Sequence, residues 1–219
     1  MKVRPIIFNT KMVQALLSGQ KVVTRRPVPN WQLPKLTYDG TNYMTIAQRH
    51  PRWGFGLFGD TPDEAMQEYN KGYSSLCPFG GKGDCLYVRE SMTVNDHQDI
   101  CYVADDKQID CVPDDWYYRD QNFAGRVPSV HMPRWASRLT LKISDTRVEK
   151  VQDITVEQAL AEGFSMRMEF VKAWNTTYKN WKSNPYVWVI EFEIIASNVD
   201  ILISNDSPLL RKNSFPWNA

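Results

Sequence analysis

Lys21, Thr24, Arg25 and Arg26 fall within one short run, Gly19-Gln20-Lys21-Val22-Val23-Thr24-Arg25-Arg26. A primary ammonium, a hydroxyl and two guanidinium groups in so little chain could hold an anion or the polar edge of a nucleobase. The guanidinium is a planar fork of donors, whereas the lysine is a compact charge on a flexible stem. The plain alternative is a solvated basic turn, because surface exposure is the default for such residues.

The flanking elements decide how these groups are presented. Met12, Val13, Leu16 and Leu17 form one helical stripe, to which Ala15 adds, so the spacing predicts a helix over 10–18. Thr10 is its expected N-cap, and Gly19 stands where a helix end wants a left-handed residue. Val22, Val23 and Thr24 are β-branched and predict a strand over 22–26. Alternation along that strand groups residues 22, 24 and 26 on one face and 21, 23 and 25 on the other. Lys21, at the strand's start, can swing to either side.

The order G-x-K-x-x-T-x-R resembles the signature of the ASCH domain, a family of the PUA-like superfamily. Gly83-Asp84-Cys85-Leu86-Tyr87-Val88-Arg89-Glu90 is similar to the G-D-x-L-x-V-R-E strand of the same family. Further support comes from the alternating run Ser137–Val148, from the helix opened by Asp153-Ile154-Thr155 and from the apolar strand Tyr186–Phe192. Cys77-Pro78-Phe79-Gly80 and the run from His131 to Arg138 resemble a phage- and prophage-borne branch. The resemblance implies an α+β fold, a PUA-like mixed β-barrel with flanking helices and loop-rich insertions. One ASCH domain would occupy 1–196, with insertions at about 28–80 and 91–130, followed by a tail over 197–219. The expected strands are 22–26, 84–89, 138–149 and 186–195.

The resemblance also implies chemistry. One ASCH group hydrolyses acetylated cytidine, and its proposed catalytic set maps here onto Lys21, Thr24 and Glu162, with Glu157 as the nearby alternative acid. A threonine hydroxyl needs an adjacent base, a desolvated lysine can supply one, and a glutamate can orient the lysine or protonate the leaving amine. Arg26 could stabilise the oxyanion. The competing reading is a binding module for RNA or a modified nucleoside. In it Lys21, Arg25, Arg26 and Arg89 meet phosphate and Tyr87 or Trp135 stacks on a base, a contact that contributes about 1–3 kcal/mol. Glu90, at a strand end, is expected to join Lys21, Thr24, Arg26 and Glu162 in one cleft. Ribonuclease activity ranks last. A structural Lys21–Glu162 ion pair with an inert Thr24 is the bland alternative to all three.

Composition narrows the field. At 219 residues with 42% hydrophobic side chains, the chain suits one elaborated domain, or at most two. A formal charge of +1 argues against a strongly electrostatic, non-specific nucleic-acid binder. The apolar runs are too short for a membrane helix and the N-terminus lacks a signal peptide's apolar core, so a cytoplasmic protein without membrane partners is expected. Cys77, Cys85, Cys101 and Cys111 form no C-x-x-C pair and the three histidines are scattered, so neither metal nor cofactor is expected. Residues 27–36, rich in proline, read as irregular. Residues 37–82, with Trp53 among many aromatics, read as a loop-rich flap in which only 61–66 is helical, capped by Thr61. Residues 95–126 read as an irregular acidic loop that lies away from any phosphate track or gates it. Thr155-x-x-Gln158 fits a capping box. Val156, Ala159 and Leu160 share a face, Gly163 ends that helix, and Phe170, Trp174 and Tyr178 form a core stripe on the next. The tail is expected to wander over the surface or pack as an arm.

Overall fold

The computed structural model describes residues 1–48 and 54–206; Trp53 and the tail beyond Asp206 lie outside them. Strands and helices follow in the order β1 (Val3–Ile7), α1 (Thr10–Leu17), β2 (Val23–Pro27), β3 (Lys35–Leu36), β4 (Tyr43–Gln48), β5 (Phe55–Gly59), α2 (Pro62–Gln67), β6 (Cys85–Arg89), β7 (Met92–Val94), β8 (Ile100–Tyr102), β9 (Gly125–Val127), β10 (Thr140–Lys150), α3 (Val156–Ala161), α4 (Arg167–Tyr178), β11 (Tyr186–Ile195) and α5 (Val199–Asp206). The fold is α+β. The four strands expected from alternation lie within two residues of their expected ends. The described strands make open sheets with no closed barrel among them.

The chain divides into two compact units. The first comprises Met1–Lys2, Ala15–Asp84 and Lys142–Glu193. In it β10, β11 and β2 are neighbours in that order. β11 runs antiparallel to β2, with Ile190 opposite Thr24 and Val189 opposite Arg25. Val23, Ile154, Ala159, Phe170, Trp174, Val187 and Val189 pack as its core, so the Phe170–Trp174 stripe of α4 is buried as its spacing predicts. Val156 and Leu160 differ from expectation. They stand exposed while Ala159 alone of the three is buried, because a helix this short turns only a narrow stripe inward.

The same unit holds a three-stranded antiparallel sheet, β3-β4-β5, in the segment read as loop. Thr45 and Tyr69 are fully buried there and hydrogen-bonded to each other at 3.0 Å. Tyr69 meets Trp188 edge-on at 5.1 Å. α2 is capped as expected, Thr61 accepting from the Glu64 N–H at 3.2 Å.

The second unit comprises Val3–Gln14, Cys85–Leu141 and the chain from Ile194. β1 and β6 pair in parallel, Val3 opposite Cys85. The stretch read as an irregular acidic loop contains β8-β7-β9, a small antiparallel sheet. Met92, Val94, Ile100, Tyr102, Val127 and Met132 form its core, with Trp116 and Phe123 packed against it. Beyond Ser197 the chain forms α5, where Val199 is buried. Asn198 ties the preceding turn down by donating to the carbonyls of Arg134, Trp135 and Ser137 at 2.8–3.0 Å.

Candidate functional site

The corner that carries Lys21 is built from two helix ends. α1 begins one residue earlier than its sequence suggests. Asn9 is the cap, its side-chain oxygen accepting from the Met12 N–H at 2.9 Å, and Thr10 is already helical. At the other end Gly19 takes φ +74°, the left-handed conformation that glycine adopts without strain. The chain then turns back, and the Lys21 N–H donates to the Ala15 carbonyl at 3.0 Å.

α3 opens with the expected capping box, in which Gln158 N–H meets Thr155 Oγ1 at 3.2 Å and Thr155 N–H meets Gln158 Oε1 at 3.1 Å. It closes at Gly163, with φ +88°. A β-carbon at that position would lie 2.7 Å from the Ala15 β-carbon and 3.4 Å from that of Lys21. Glycine therefore serves twice here. It permits the left-handed turn, and it lets the two helix ends close to a distance that brings Glu162 onto Lys21. The Val22 N–H completes the joint by donating to the Ala161 carbonyl at 2.9 Å.

The Lys21 ammonium is wholly buried. It donates to Glu162 Oε2 at 2.7 Å, to the Glu162 carbonyl at 2.9 Å and to the Val23 carbonyl at 2.9 Å. Burial pulls its pKa below the usual lysine value, against the opposing pull of Glu162. Arg25 extends the pair. Its guanidinium reaches Glu162 at 3.4 Å, Glu149 at 3.0 Å and the Gln158 side-chain oxygen at 2.8 Å. Glu149 in turn accepts from Arg147 at 2.6 Å, and Arg147 reaches Glu191 at 2.5 Å. Burial lowers the Arg147 pKa, but the hydrogen bonds of Glu149 and Glu191 outweigh it and hold the guanidinium above the usual arginine range. Lys21, Glu162, Arg25, Glu149, Arg147 and Glu191 thus form a chain of alternating charge that runs from a fully buried ammonium to a carboxylate whose side chain is 43% exposed.

A cleft of about 300 Å³ adjoins the outer end of this chain. Val22, Val23, Ala161 and Phe192 give it apolar walls, and Ser144, Arg147, Gln158 and Glu191 line it with polar groups. That size is at the lower end for small-molecule sites.

Of the residues singled out by sequence, Lys21, Arg25 and Glu162 come together in this network. Thr24 is buried on β2, and strand alternation sends it to the face opposite Arg25. Arg26 follows it on the same face as Thr24, half-buried. Glu157 lies at the first turn of α3 and is exposed. The remaining four belong to the second unit. Glu90 is buried and takes a two-pronged contact from Arg138 at 2.8 and 3.0 Å. Arg89 donates to the carbonyls of Met132 and Val130. Tyr87 lies under the Arg134 guanidinium at 5.5 Å, and Trp135 packs edge-on against Trp116 at 5.4 Å.

Sequence reasoning missed Arg147, Glu149, Glu191 and Gln158. The signal for two of them was present. Asp145, Arg147 and Glu149 alternate along β10 and so share one face. Among the described residues no group of three or more His, Cys, Asp or Glu side chains is placed to hold a metal ion, and no helix is long and apolar enough to cross a membrane. Comparison of the chain with models of known families, with curated proteins and with solved structures finds no match.

Proposed function

We propose that this chain is an ASCH-type, PUA-like protein that binds a modified nucleoside, free or within RNA, in the cleft beside the Lys21–Glu162–Arg25 network. The observation that carries the reading is that the ion network holding Lys21 of the signature continues through Glu162 and Arg25 into the cavity wall. Gln158, in the cleft wall, accepts from Arg25 at 2.8 Å, and Arg147, also in the wall, shares Glu149 with Arg25. The network therefore fixes the cleft's polar groups in place before any ligand arrives, which lowers the ordering cost of binding. Apolar walls with a few oriented polar groups suit a planar ring with hydrogen-bonding edges.

The test is a thermal-shift screen against modified nucleosides and short RNAs. A ligand at one hundred times its Kd stabilises the folded chain by about 2.7 kcal/mol. Val22→Trp, at a partly exposed position of the cleft wall, should abolish the shift while leaving the unliganded melting curve nearly unchanged. A screen without a single shift, repeated at millimolar nucleoside, defeats the reading.

Hydrolysis of an acylated cytidine is the second reading, and one observation favours it. Lys21 is buried, depressed in pKa and 2.7 Å from Glu162. The same geometry sets its difficulty, since a general base needs a lone pair and the Lys21 ammonium already donates to three acceptors. Release of cytidine from its acetylated form by wild type, lost in Thr24→Ala with nucleoside affinity retained, would establish it. Absence of turnover in wild type removes it and leaves binding standing.

A further inference from the structure

The three cations of the ion network are committed to carboxylates. Lys21 and Arg25 share Glu162, Arg25 and Arg147 share Glu149, and Arg147 also meets Glu191 and, at 3.4 Å, Asp145. These three cations thus stand against four carboxylates. Among the described residues that line the cleft Arg147 is the sole basic side chain, and three acids hold it. A phosphate entering here would have to strip Arg147 from those acids in a setting with no surplus positive charge, so the cleft is poorly suited to anions. We infer that the cleft selects a nucleobase-sized ring bearing positive charge, such as an N-methylated purine, and that Glu191 is the residue that selects it. The inference rests on the nucleoside-binding reading above and names its ligand class.

Three features support it beyond the charge balance. Only Oε1 of Glu191 takes the Arg147 bond, so its Oε2 is open to a donor or a cationic ring edge. The Gln158 side-chain oxygen is occupied by Arg25 and the Thr155 N–H, which leaves its amide N–H groups to meet a ring carbonyl. The walls made by Val22, Val23, Ala161 and Phe192 are apolar, and a delocalised ring cation tolerates such walls far better than a compact, strongly hydrated ion does. Charge-assisted contacts of this type are about twice as strong as neutral ones.

The experiment is isothermal titration of the full chain with 1-methyladenosine and 7-methylguanosine, each against its unmethylated parent, and with inorganic phosphate. The methylated cations should bind at least about tenfold more tightly than their parents, a difference of about 1.4 kcal/mol. Phosphate should show no measurable heat. Glu191→Gln, whose side chain is 43% exposed in wild type, should erase the preference, so that the methylated cations bind no more tightly than their parents. Val22→Trp should remove binding of both kinds. If parents and cations bind alike, or Glu191→Gln leaves the preference intact, the inference is wrong although nucleoside binding stands. If neither nucleosides nor short RNAs bind, the underlying reading falls and takes this one with it.

Discussion

Each unit of this protein pairs a shielded cation with carboxylates, and the two do so differently. In the first unit Lys21 has no exposed surface and sits at the inner end of a six-residue ion chain whose outer end reaches a cleft. In the second, Arg138 is paired locally, its side chain 15% exposed. Glu90 takes it with both oxygens, Asp105 meets it at 2.7 Å, and the Tyr102 ring lies beneath it at 3.8 Å. Burial depresses the lysine, whereas the two acids overcome burial at Arg138 and hold it above the usual arginine range. A buried ion pair is a poor source of net stability compared with apolar packing. A local triad is accounted for by local structure alone, but a chain that carries charge outward to a cavity presents polar groups where a ligand can use them.

The largest expected effect tests how tightly the first network is closed. Lys21→Ala removes a fully buried side chain and strips three acceptors of their donor at once. Chemical denaturation should show a loss of about 3–5 kcal/mol. Lys21→Met keeps the stem volume and so isolates the charge. If Lys21→Met is as stable as wild type, the ammonium is dispensable to folding and its retention has to be sought in function.

Gly163→Ala comes next, because the corner that joins Glu162 to Lys21 depends on the missing β-carbon. The substitution combines a left-handed backbone, costing about 1–2 kcal/mol, with an overpacking cost of about 1–3 kcal/mol against Ala15. Adding Ala15→Gly should return the packing part and leave the backbone part. Full rescue by the double variant would mean that the turn itself carries no strain.

How much of this was legible from sequence follows from where the regular patterns lie. β2, β6, β10 and β11 alternate or are continuously apolar, and two of the three predicted caps, at Thr61 and Thr155, are formed, whereas Asn9 takes the place expected of Thr10. β4 and β5 were hidden because β4 is apolar on both faces and β5 contains Gly56, which reads as a loop residue. In the structure a β-carbon at Gly56 would lie 2.6 Å from Met44 Cγ, so glycine leaves room for that side chain. β7, β8 and β9 have three residues each, too short to show a period. The pairing of Lys21 with Glu162 was legible through the motif, but Glu191 sits within an apolar run and nothing local marked it. Network residues brought together across 124 or more positions, as Arg25 is with Glu149, leave no trace in sequence spacing.

Arg138→Ala should cost less than Lys21→Ala, about 2 kcal/mol, because the acid it abandons can neutralise itself. Burial already raises the Glu90 pKa, with Arg138 opposing that rise. Without Arg138 the opposition is gone, so the variant should lose stability as pH rises above the ordinary carboxylate range and recover it in mild acid. Wild type shows the weaker form of the same sign: a raised folded pKa means the native state holds more protons than the unfolded chain just above pH 4.5, so this group's contribution falls with rising pH. Lys21 has the opposite sign. Its folded pKa lies below 10.5, the unfolded chain binds more protons in that window, and its contribution grows as pH rises through it. Denaturation of Glu90→Gln and Lys21→Met across pH should flatten these two slopes separately; equal slopes of one sign would erase the contrast between the units.

The smallest effect sharpens the picture of the Arg138 triad. Tyr102 is buried beneath Arg138 and its hydroxyl donates to the Ala136 carbonyl at 2.7 Å. Burial pushes its pKa up to about 12, against the pull of the guanidinium above it. The unfolded chain ionises this phenol near pH 10, so the native state holds the extra proton between those values and Tyr102 contributes less stability as pH climbs through that range. Burial raises Tyr69 and Tyr186 as well, so ultraviolet titration should show a group of tyrosines ionising late, and Tyr102→Phe should remove one tyrosine's share of that phase while costing about 1 kcal/mol at neutral pH for the lost hydrogen bond. A Tyr102 phase near pH 10 would mean that water reaches the phenol, and Arg138 would then not shield the ring beneath it.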